Sequence, residues 1–351
     1  MPIVLSTNIS MPANTVTLII PIDISRRSKE IFKRAVMLAE QISKEGFSAI
    51  FSINFKDNSI DNRLFSTLSS IKNITAIKTK GDNMPLAKIR NAAISQVKTE
   101  YILFLDVDIV FDSDVVRYAI HKAMNTKSQM AMIPCLYLTK KGNDLVKKGC
   151  STKQMVDHFF NFRRDLIMHI AFPTSLICVD TRSIKEIEGF DENFYGHGYE
   201  DFDFMVRLLS HKGLMPIQES ILVDSPYITL ILMEGLRADI AKTSIEELIS
   251  KKYMLHLHHK KDINDIYYIL RNRNAKYFYD KWKSILDKKG TASQPSKSFL
   301  LCFLDFCTDN NIKIHDYQVL FDPIPRHMWR NFTLFDYIKS NIKKFKRGIA
   351  A

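Results

Sequence analysis

Short apolar segments alternate with segments of helical period through the first hundred residues of the chain. The apolar run from Val16 to Ile20, closed by Pro21, predicts a buried strand, and the apolar residues between Ser28 and Glu45 recur at helical spacings of three and four. Apolar runs from Ser48 to Ile53 and from Tyr101 to Leu105 predict further strands. Because strands and helices that alternate in this way build a mostly parallel sheet covered on both faces, the sequence predicts an α/β fold.

Length and composition bound the size and the class of the protein. A chain of 351 residues and 40.7 kDa exceeds what one hydrophobic core usually serves, so we expect a main domain with an appendage. Hydrophobic residues make up 46% of the chain and charged residues 25%, which excludes a disordered, collagenous or fibrous protein. The sequence turns helical and basic from Ile263 onward, so we expect the appendage at the C-terminal end.

Charge and cysteine content indicate the partners and the compartment. The formal net charge of +12 indicates a polyanionic partner, a class that includes nucleic acid, an anionic membrane surface and phosphorylated ligands. Five cysteines without CxxC spacing indicate neither a disulfide framework nor a zinc site, so a reducing cytoplasm is expected. The N-terminus lacks the basic region of a secretory signal, and the longest apolar stretch, near Ile228 to Met233, is far shorter than the roughly 20 residues that span a bilayer.

Ligands of a mostly parallel sheet bind beyond the carboxyl ends of its strands, so the residues that follow each strand are the first candidates for a site. Pro21, Asp23 and Arg26 follow the first predicted strand, Asn54 to Asp57 follow the second, and Asp106 to Asp108 follow the last. No glycine-rich loop of the GxGxxG, GxxxxGKS or GxxxxGKT type follows any of them. This absence disfavours a dinucleotide-binding fold and a P-loop nucleotidase.

The DVD sequence at Asp106 to Asp108 places two carboxylates at the edge of the sheet. Two unpaired carboxylates repel each other unless a cation lies between them. Oxygen ligands of this kind suit Mn²⁺ or Mg²⁺, and such an ion would bridge the diphosphate of a nucleotide. A solvated turn after a strand is the alternative that these residues alone leave open.

A second group of acids lies in the fifteen residues from Gly189 to Asp203, which contain three glycines and five acids and therefore predict a shaped loop. Glu200, Asp201 and Asp203 begin a segment of helical period, so we expect them at a helix N-terminus, where the helix dipole favours their ionised form. An ionised carboxylate is what a general base requires. Helix capping is the alternative role for any one of these acids.

Three segments together resemble one known family. The strand from Val16 to Pro21, the DVD, and the sequence GFDENFYGHGYEDFDFMVRL are similar to the nucleotide-sugar-dependent glycosyltransferases of GT-A fold, particularly the bacterial capsule, chondroitin-type polymerase and O-antigen enzymes related to the β-1,4-galactosyltransferases. The resemblance implies a Rossmann-like, mostly parallel sheet flanked by helices over residues 15–270. Residues 1–14 are then an N-terminal arm, and residues 271–351 a helical, basic C-terminal extension.

The resemblance also implies the residues of the donor site. Asp108 is the implied ligand of the metal that holds the UDP diphosphate, and Asp106 is implied as a nucleotide or ribose contact and a further candidate ligand. His259, and after it His256, are implied as histidine ligands of Mn²⁺ or Mg²⁺, the alternative being a surface cluster of histidines. Arg237 is implied near a phosphate. The residues implied around the nucleotide and the diphosphate are Pro21, Asp23, Arg26, Asp57, Arg90 and Gly198.

On the acceptor side, the resemblance implies that Asp201 is the base that deprotonates the acceptor hydroxyl and that Glu200 orients the acceptor or the loop. The chain departs from related galactosyltransferases at Tyr195 and His197, where those enzymes carry tryptophan, and at Phe202, where they carry a third acid. These departures put acceptor recognition in question.

The sequence therefore predicts an inverting, metal-dependent glycosyltransferase that moves a sugar from a UDP-sugar to a hydroxyl of a glycan acceptor, free or lipid-linked, in bacterial surface polysaccharide synthesis. No nucleic-acid partner is expected. A sugar nucleotidyltransferase is one alternative, but it would need a glycine-rich phosphate loop near the first strand. A non-catalytic basic protein that binds a membrane surface or nucleic acid is the other.

Apolar and basic residues alternate with helical period between Phe332 and Ile349, which predicts an amphipathic helix with a basic face. Such a helix either docks on the protein or binds an anionic membrane surface. If it binds a membrane, the enzyme is cytoplasmic and peripherally attached to the inner face of the plasma membrane.

Overall fold

The protein, analysed as a computed structural model, is described for residues 15–24, 27–80, 86–224, 229–259, 269–289 and 297–323. Arg26, the arm at 1–14 and the segment from Phe332 to Ile349 lie outside these residues. The strands are β1 (Val16–Ile22), β2 (Ser48–Phe55), β3 (Ile74–Lys80), β4 (Tyr101–Phe104), β5 (Ile109–Val110), β6 (Met130–Met132), β7 (Cys135–Leu138), β8 (Ile167–Ala171), β9 (Ile177–Asp180) and β10 (Met254–His256). The helices are α1 (Ser28–Lys44), α2 (Ser59–Ser69), α3 (Leu86–Ile94), α4 (Ser113–Asn125), α5 (Lys140–Lys147), α6 (Thr152–Phe160), α7 (Thr181–Glu186), α8 (Glu200–His211), α9 (Gly235–Lys242), α10 (Ile245–Ile249), α11 (Arg271–Lys289) and α12 (Phe299–Asp309).

Six strands form the central sheet in the order β3-β2-β1-β4-β9-β6. The first four are parallel, and β9 runs antiparallel to both of its neighbours. Helices cover both faces of this sheet, so the predicted α/β fold with a mostly parallel sheet is confirmed. A smaller sheet has the order β5-β10-β7-β8.

The pattern of apolar residues explains the central position of β1. All seven of its residues are buried, as expected for a strand with a neighbour on each side and helices on each face. The strand continues through Pro21 to Ile22, beyond the predicted end at Ile20. The carbonyl of Ile19 accepts a hydrogen bond from the backbone N–H of Leu105, the residue that follows the end of β4. The nitrogen of Pro21 faces the same side two residues later, where β4 has ended, so its missing N–H costs no sheet hydrogen bond.

The predicted first helix is confirmed as α1, which buries Ile31, Ala35, Leu38 and Ile42 at the spacings read from the sequence. The C-terminal helices also pack on the body of the protein. Trp282 of α11 lies in the same apolar cluster as Phe204 of α8, and Phe303 of α12 lies in a cluster with Tyr253. None of the helices in the described ranges is both long enough and apolar enough to cross a bilayer.

Candidate active site

Two sheets meet at the DVD sequence. Asp106 follows the end of β4, and a turn closed by the hydrogen bond from the Ile109 N–H to the Asp106 carbonyl (3.1 Å) leads into β5. Because β5 pairs antiparallel with β10, His256 lies opposite Ile109, and the Leu257 N–H donates to the Asp108 carbonyl at 2.8 Å. The pairing of these two short strands brings His256 and His259 close to Asp108.

The side chains of Asp108, His256 and His259 form a group that suits a metal ion. Their potential ligand atoms all lie within 4.8 Å of one another, and the His259 Nε2 is 3.6 Å from the Asp108 Oδ2. A carboxylate oxygen with two imidazole nitrogens is a donor set compatible with a divalent transition metal such as Mn²⁺. The donor atoms therefore fit the expected cofactor. Asp106 is not part of this group in the described residues.

Two arginines at the start of α1 contact Asp108. The Arg27 Nη2 lies 2.6 Å from Asp108 Oδ2, and Arg34 donates to Oδ1. Glu30 lies between the two arginines and contacts Arg34 at 2.5 Å. Burial alone would raise the pKa of Asp108, but hydrogen bonding and positive charge from Arg27, with a further contribution from His256 and His259, lower it to about 2. Asp108 is therefore held as a carboxylate.

The sequence predicts Arg26 near the nucleotide, whereas the arginines that contact Asp108 in the described residues are Arg27 and Arg34. The signal that could have found them is their spacing: Arg27, Glu30 and Arg34 fall at i, i+3 and i+7, which places them on one face of α1 at the carboxyl end of β1. Two guanidinium groups there form a ready contact for an anionic ligand.

Asp201 lies at the centre of a second group of polar side chains. Its Oδ1 accepts hydrogen bonds from Arg90 Nη1 at 2.8 Å and from Thr174 Oγ1 at 2.7 Å, and its side chain is 36% exposed. Arg90 is buried, stacks on the ring of Phe190 at 4.9 Å, and also contacts Asp106 at 3.3 Å. Loss of solvation and the neighbouring carboxylates raise the pKa of Asp106, against the opposing charge of Arg90.

The three acids at the start of α8 have different surroundings, although the sequence predicted ionised forms for all of them. Glu200 is buried, and burial with the adjacent Asp201 carboxylate raises its pKa to about 8, so the helix dipole does not hold it ionised at neutral pH. Asp203 is fully buried and accepts hydrogen bonds from Arg207 (2.8 Å) and from the indole of Trp282 (3.1 Å). Asp203 therefore anchors the helix, and Asp201 is the one of the three acids that is partly exposed.

The loop before α8 is fixed at both ends. Asn91 of α3 donates to the Phe190 carbonyl and accepts from the Phe190 N–H, both at 2.8 Å. Fully buried Asn274 of α11 donates to the carbonyls of Tyr195 at 2.7 Å and Gly198 at 3.0 Å. Gly198 has a φ of +90°, a backbone conformation that favours glycine. Asn274 lies in a polar helical segment, and no sequence pattern predicts its burial.

His256, one of the three residues that suit a metal ion, belongs to a stack of three aromatic rings. Tyr137 of β7 lies between His169 at 4.6 Å and His256 at 4.1 Å, measured between ring centroids, with nearly parallel planes. Burial and the negative charge of nearby acids, including Asp106 and Asp201, raise the pKa of Tyr137 far above its usual value. The phenol therefore stays protonated, and the stack fixes the ring of His256.

Three of the residues expected around the nucleotide, Pro21, Asp23 and Asp57, lie at the carboxyl ends of β1 and β2. Pro21 is buried in β1, and Asp23 follows it, with Asn54 Nδ2 at 3.5 Å from its Oδ1. Asp57 is exposed, has a left-handed φ of 57°, and accepts a hydrogen bond from Asn62 at 3.1 Å. Arg237 lies elsewhere, paired with Asp224 beside α8.

Comparison with known proteins gives a family. The family model described as Glycosyltransferase like family 2 matches residues 17–284. The chain is similar to a structure of S. aureus TarS comprising residues 1–349, with 15% identity over 56% of this chain and 55% of that chain and a TM-score of 0.35. It thus spans about half of that structure. It is also similar to mannosyl-3-phosphoglycerate synthase from Rubrobacter xylanophilus, with 11% identity over 81% of this chain and 77% of that chain and a TM-score of 0.39. No curated protein matches it.

Proposed function

The chain belongs to the glycosyltransferase-like family 2 and is a glycosyltransferase. We propose that it transfers a sugar from a UDP-sugar to a hydroxyl of a glycan acceptor with inversion at the anomeric carbon. The observation that carries this proposal is the position of Asp201. Its carboxylate is partly exposed at the cleft and is joined through Arg90 to Asp106, two residues from the Asp108 and histidine group.

In the proposed donor site, Asp108, His256 and His259 hold a divalent ion, with Mn²⁺ as the first choice and Mg²⁺ as the second. When bound, the ion supplies positive charge that stabilises the leaving diphosphate. Arg27 and Arg34 bind the same diphosphate from the side of α1, because their guanidinium groups already face Asp108. Asp106 contacts the nucleotide or its ribose.

The uracil and ribose side of the proposed site is the edge formed by the ends of β1 and β2. We assign Pro21, Asp23 and Asp57 to it by position, together with Arg26 from the sequence. Arg90 and Gly198 act less directly. Arg90 holds Asp106 and Asp201 in place, and Gly198 gives the loop its left-handed turn before α8.

In the proposed acceptor site, Asp201 removes the proton of the acceptor hydroxyl while the hydroxyl oxygen attacks the anomeric carbon. One carbon–oxygen bond forms, the bond from that carbon to the diphosphate breaks, and UDP leaves with its electron pair. In the described part of the chain both donors to Asp201 contact Oδ1, so Oδ2 is the oxygen that receives the proton. Glu200, kept neutral by its raised pKa, adds no second negative charge beside the base.

The biological setting that we propose is synthesis of a bacterial surface polysaccharide such as capsule, O-antigen or lipooligosaccharide, with the acceptor free or lipid-linked. Residues 15–270 form the catalytic domain in this proposal, and residues 271–351 form a helical extension. Basic residues between Phe332 and Ile349 attach the enzyme to the anionic inner face of the membrane. Deletion of that segment should abolish co-sedimentation with anionic liposomes, and equal co-sedimentation of both forms would contradict the attachment.

The test of the proposed reaction is release of UDP from a panel of UDP-sugars, with Mn²⁺ and with a chelator. We expect release with at least one UDP-sugar, loss of release with chelator, and loss of transfer in Asp201→Asn. Asp114→Asn is the matched control, because Asp114 is an exposed acid in the first turn of α4 and the substitution makes the same change of charge. Wild-type protein that releases no UDP from any member of the panel would contradict the proposal.

A further inference from the structure

Three arginines stack on the aromatic residues that bracket Asp201. The Cζ atoms lie 4.8 Å from the ring centroid of Tyr195 for Arg273, 5.1 Å from that of Tyr199 for Arg271, and 5.0 Å from that of Phe202 for Arg237. We call these side chains, Arg237, Arg271 and Arg273, the arginine rim. An arginine that stacks through its face keeps the N–H groups at its edge available for an anion.

Among the described residues, Asp224 is the acid that contacts the arginine rim. Asp224 contacts Arg237 at 2.5 Å and Arg271 only at 3.8 Å, and it also accepts a hydrogen bond from the Tyr199 hydroxyl at 2.9 Å. For Arg273, which is exposed, the Tyr195 ring is the contact found among the described residues. The first turn of α11 carries no acid, although a helix N-terminus favours acids over bases.

The arginine rim is held rigidly against the loop. Asn274 follows Arg273 in α11 and is fully buried. It donates to the carbonyls of Tyr195 and Gly198 at 2.7 and 3.0 Å. The Tyr195 N–H in turn donates to the Asn274 Oδ1 at 3.3 Å. Because this amide fixes the start of α11, Arg271 and Arg273 keep their positions beside the loop without a ligand.

The arginine rim lies apart from the cations of the donor site. Arg27 and Arg34 belong to α1 and contact Asp108, whereas the rim comes from α9 and α11 and contacts the loop and the first turn of α8. Asp201, at the second position of α8, lies between these two groups along the chain of contacts through Arg90 and Asp106. The rim contacts Tyr199 and Phe202, which flank Glu200 and Asp201 in the chain, and for this reason we assign it to the acceptor rather than to the donor.

We propose that the arginine rim binds an anionic group of the acceptor, so that the acceptor is a glycan carrying a carboxylate or a phosphate close to the hydroxyl that reacts. This inference rests on the proposed function, because it takes Asp201 as the base. Guanidinium groups bind both anions through paired N–H donors. Asp224 orients Arg237 and Arg271 from behind, and the anion binds at their exposed edges and at Arg273.

The experiment compares matched charged and neutral acceptors on the full chain. The first pair is a tetrasaccharide with a terminal uronic acid and its methyl ester, and the second is a phosphorylated tetrasaccharide and its unphosphorylated form. Calorimetry measures binding of each without donor, and transfer assays give KM with the active UDP-sugar. We expect at least one charged member to bind about tenfold or more tightly than its neutral partner, which also distinguishes carboxylate from phosphate.

The double variant Arg271→Gln with Arg273→Gln should remove this preference and leave UDP affinity and acceptor-free UDP-sugar hydrolysis unchanged. Lys276→Gln with Lys283→Gln is the matched control, since both lysines are exposed on α11 and removal of the same charge there should change nothing. Equal binding of charged and neutral acceptors, or a loss of UDP affinity in the arginine variant, would overturn the inference. Binding of the anionic glycan without any UDP-sugar turnover would instead support the rim and reject the proposed function.

Discussion

Arg90 and Asp201 are joined by a hydrogen bond of 2.8 Å between a buried guanidinium and a partly exposed carboxylate. The residues lie 111 positions apart in the chain, on α3 and α8. The same guanidinium contacts Asp106 at 3.3 Å, so one buried cation joins an acid that follows β4 to an acid of α8.

We expect Arg90→Met to destabilise the protein, because it leaves two carboxylates facing each other without a counter-charge. Loss of hydrogen bonds to charged groups costs roughly 1–3 kcal/mol each, and the partial exposure of both acids keeps the total near the lower part of that range. Urea unfolding measures the change. Arg90→Lys keeps the charge but reaches fewer acceptors, so its loss should be smaller. Equal stability of Arg90→Met and the wild type would show that the contacts are unimportant for folding.

We expect Asp201→Asn to abolish transfer while UDP affinity stays near that of the wild type. The amide keeps an oxygen for Arg90 and Thr174 but cannot accept the acceptor's proton. A general base contributes about 10² to 10⁴ in rate. Single-turnover transfer and calorimetry with UDP measure the two effects. If the rate falls less than about tenfold, another group is the base, and Glu200→Gln becomes the variant to compare.

The pKa of Glu200 predicts a pH-dependent gain in stability for Glu200→Gln. The pKa is about 8 in the folded protein and about 4.3 in an unfolded chain. The folded state therefore holds a proton that the unfolded chain has released, and the wild type loses stability as the pH rises through this interval, by up to about 1.4 kcal/mol per pH unit. Glu200→Gln should match the wild type near about pH 4 and exceed it increasingly up to about pH 8.

Urea unfolding at several pH values measures that difference. The matched control is Glu246→Gln, since Glu246 is an exposed acid on α10 with 51% of its side chain accessible. A stability difference between Glu200→Gln and the wild type that is independent of pH would refute the raised pKa.

We expect Asp108→Ala to lose Mn²⁺-dependent UDP affinity by tenfold or more, because the ion loses its carboxylate ligand. Arg27 and Arg34 would then face each other without the acid that they share, so UDP binding without metal should persist or increase. Titration of UDP with and without Mn²⁺ separates the two effects, with Asp114→Ala as the control. Unchanged dependence on Mn²⁺ would remove Asp108 from the metal site.

The sequence predicted what is encoded by local periodicity and position. The apolar spacing in α1 and the apolar run in β1 predicted those elements because burial of one face repeats along the chain. The end of β1 was predicted at Ile20 because proline usually ends a strand, whereas the early end of β4 removes that restriction. The position where β4 ends cannot be read from the residues around Pro21.

The candidate site shows the same division. His256 and His259 were expected near Asp108 from a family resemblance, and the pairing of β5 with β10 places them there. Asn274 and Tyr137 could not be found in the same way. An asparagine within a polar helical segment carries no mark of full burial, and a tyrosine in a short strand carries no mark of its histidine neighbours.

The hydrogen bonds from Asn274 to the loop determine which part of this protein can be exchanged with a relative. A loop transplanted alone would present its backbone carbonyls at residues 195 and 198 to a foreign helix, without the amide that satisfies them. If the loop binds the acceptor, as proposed, a change in acceptor range requires the loop and the first turns of α11 to change together. The smallest transferable module comprises two segments that lie more than seventy residues apart in the chain.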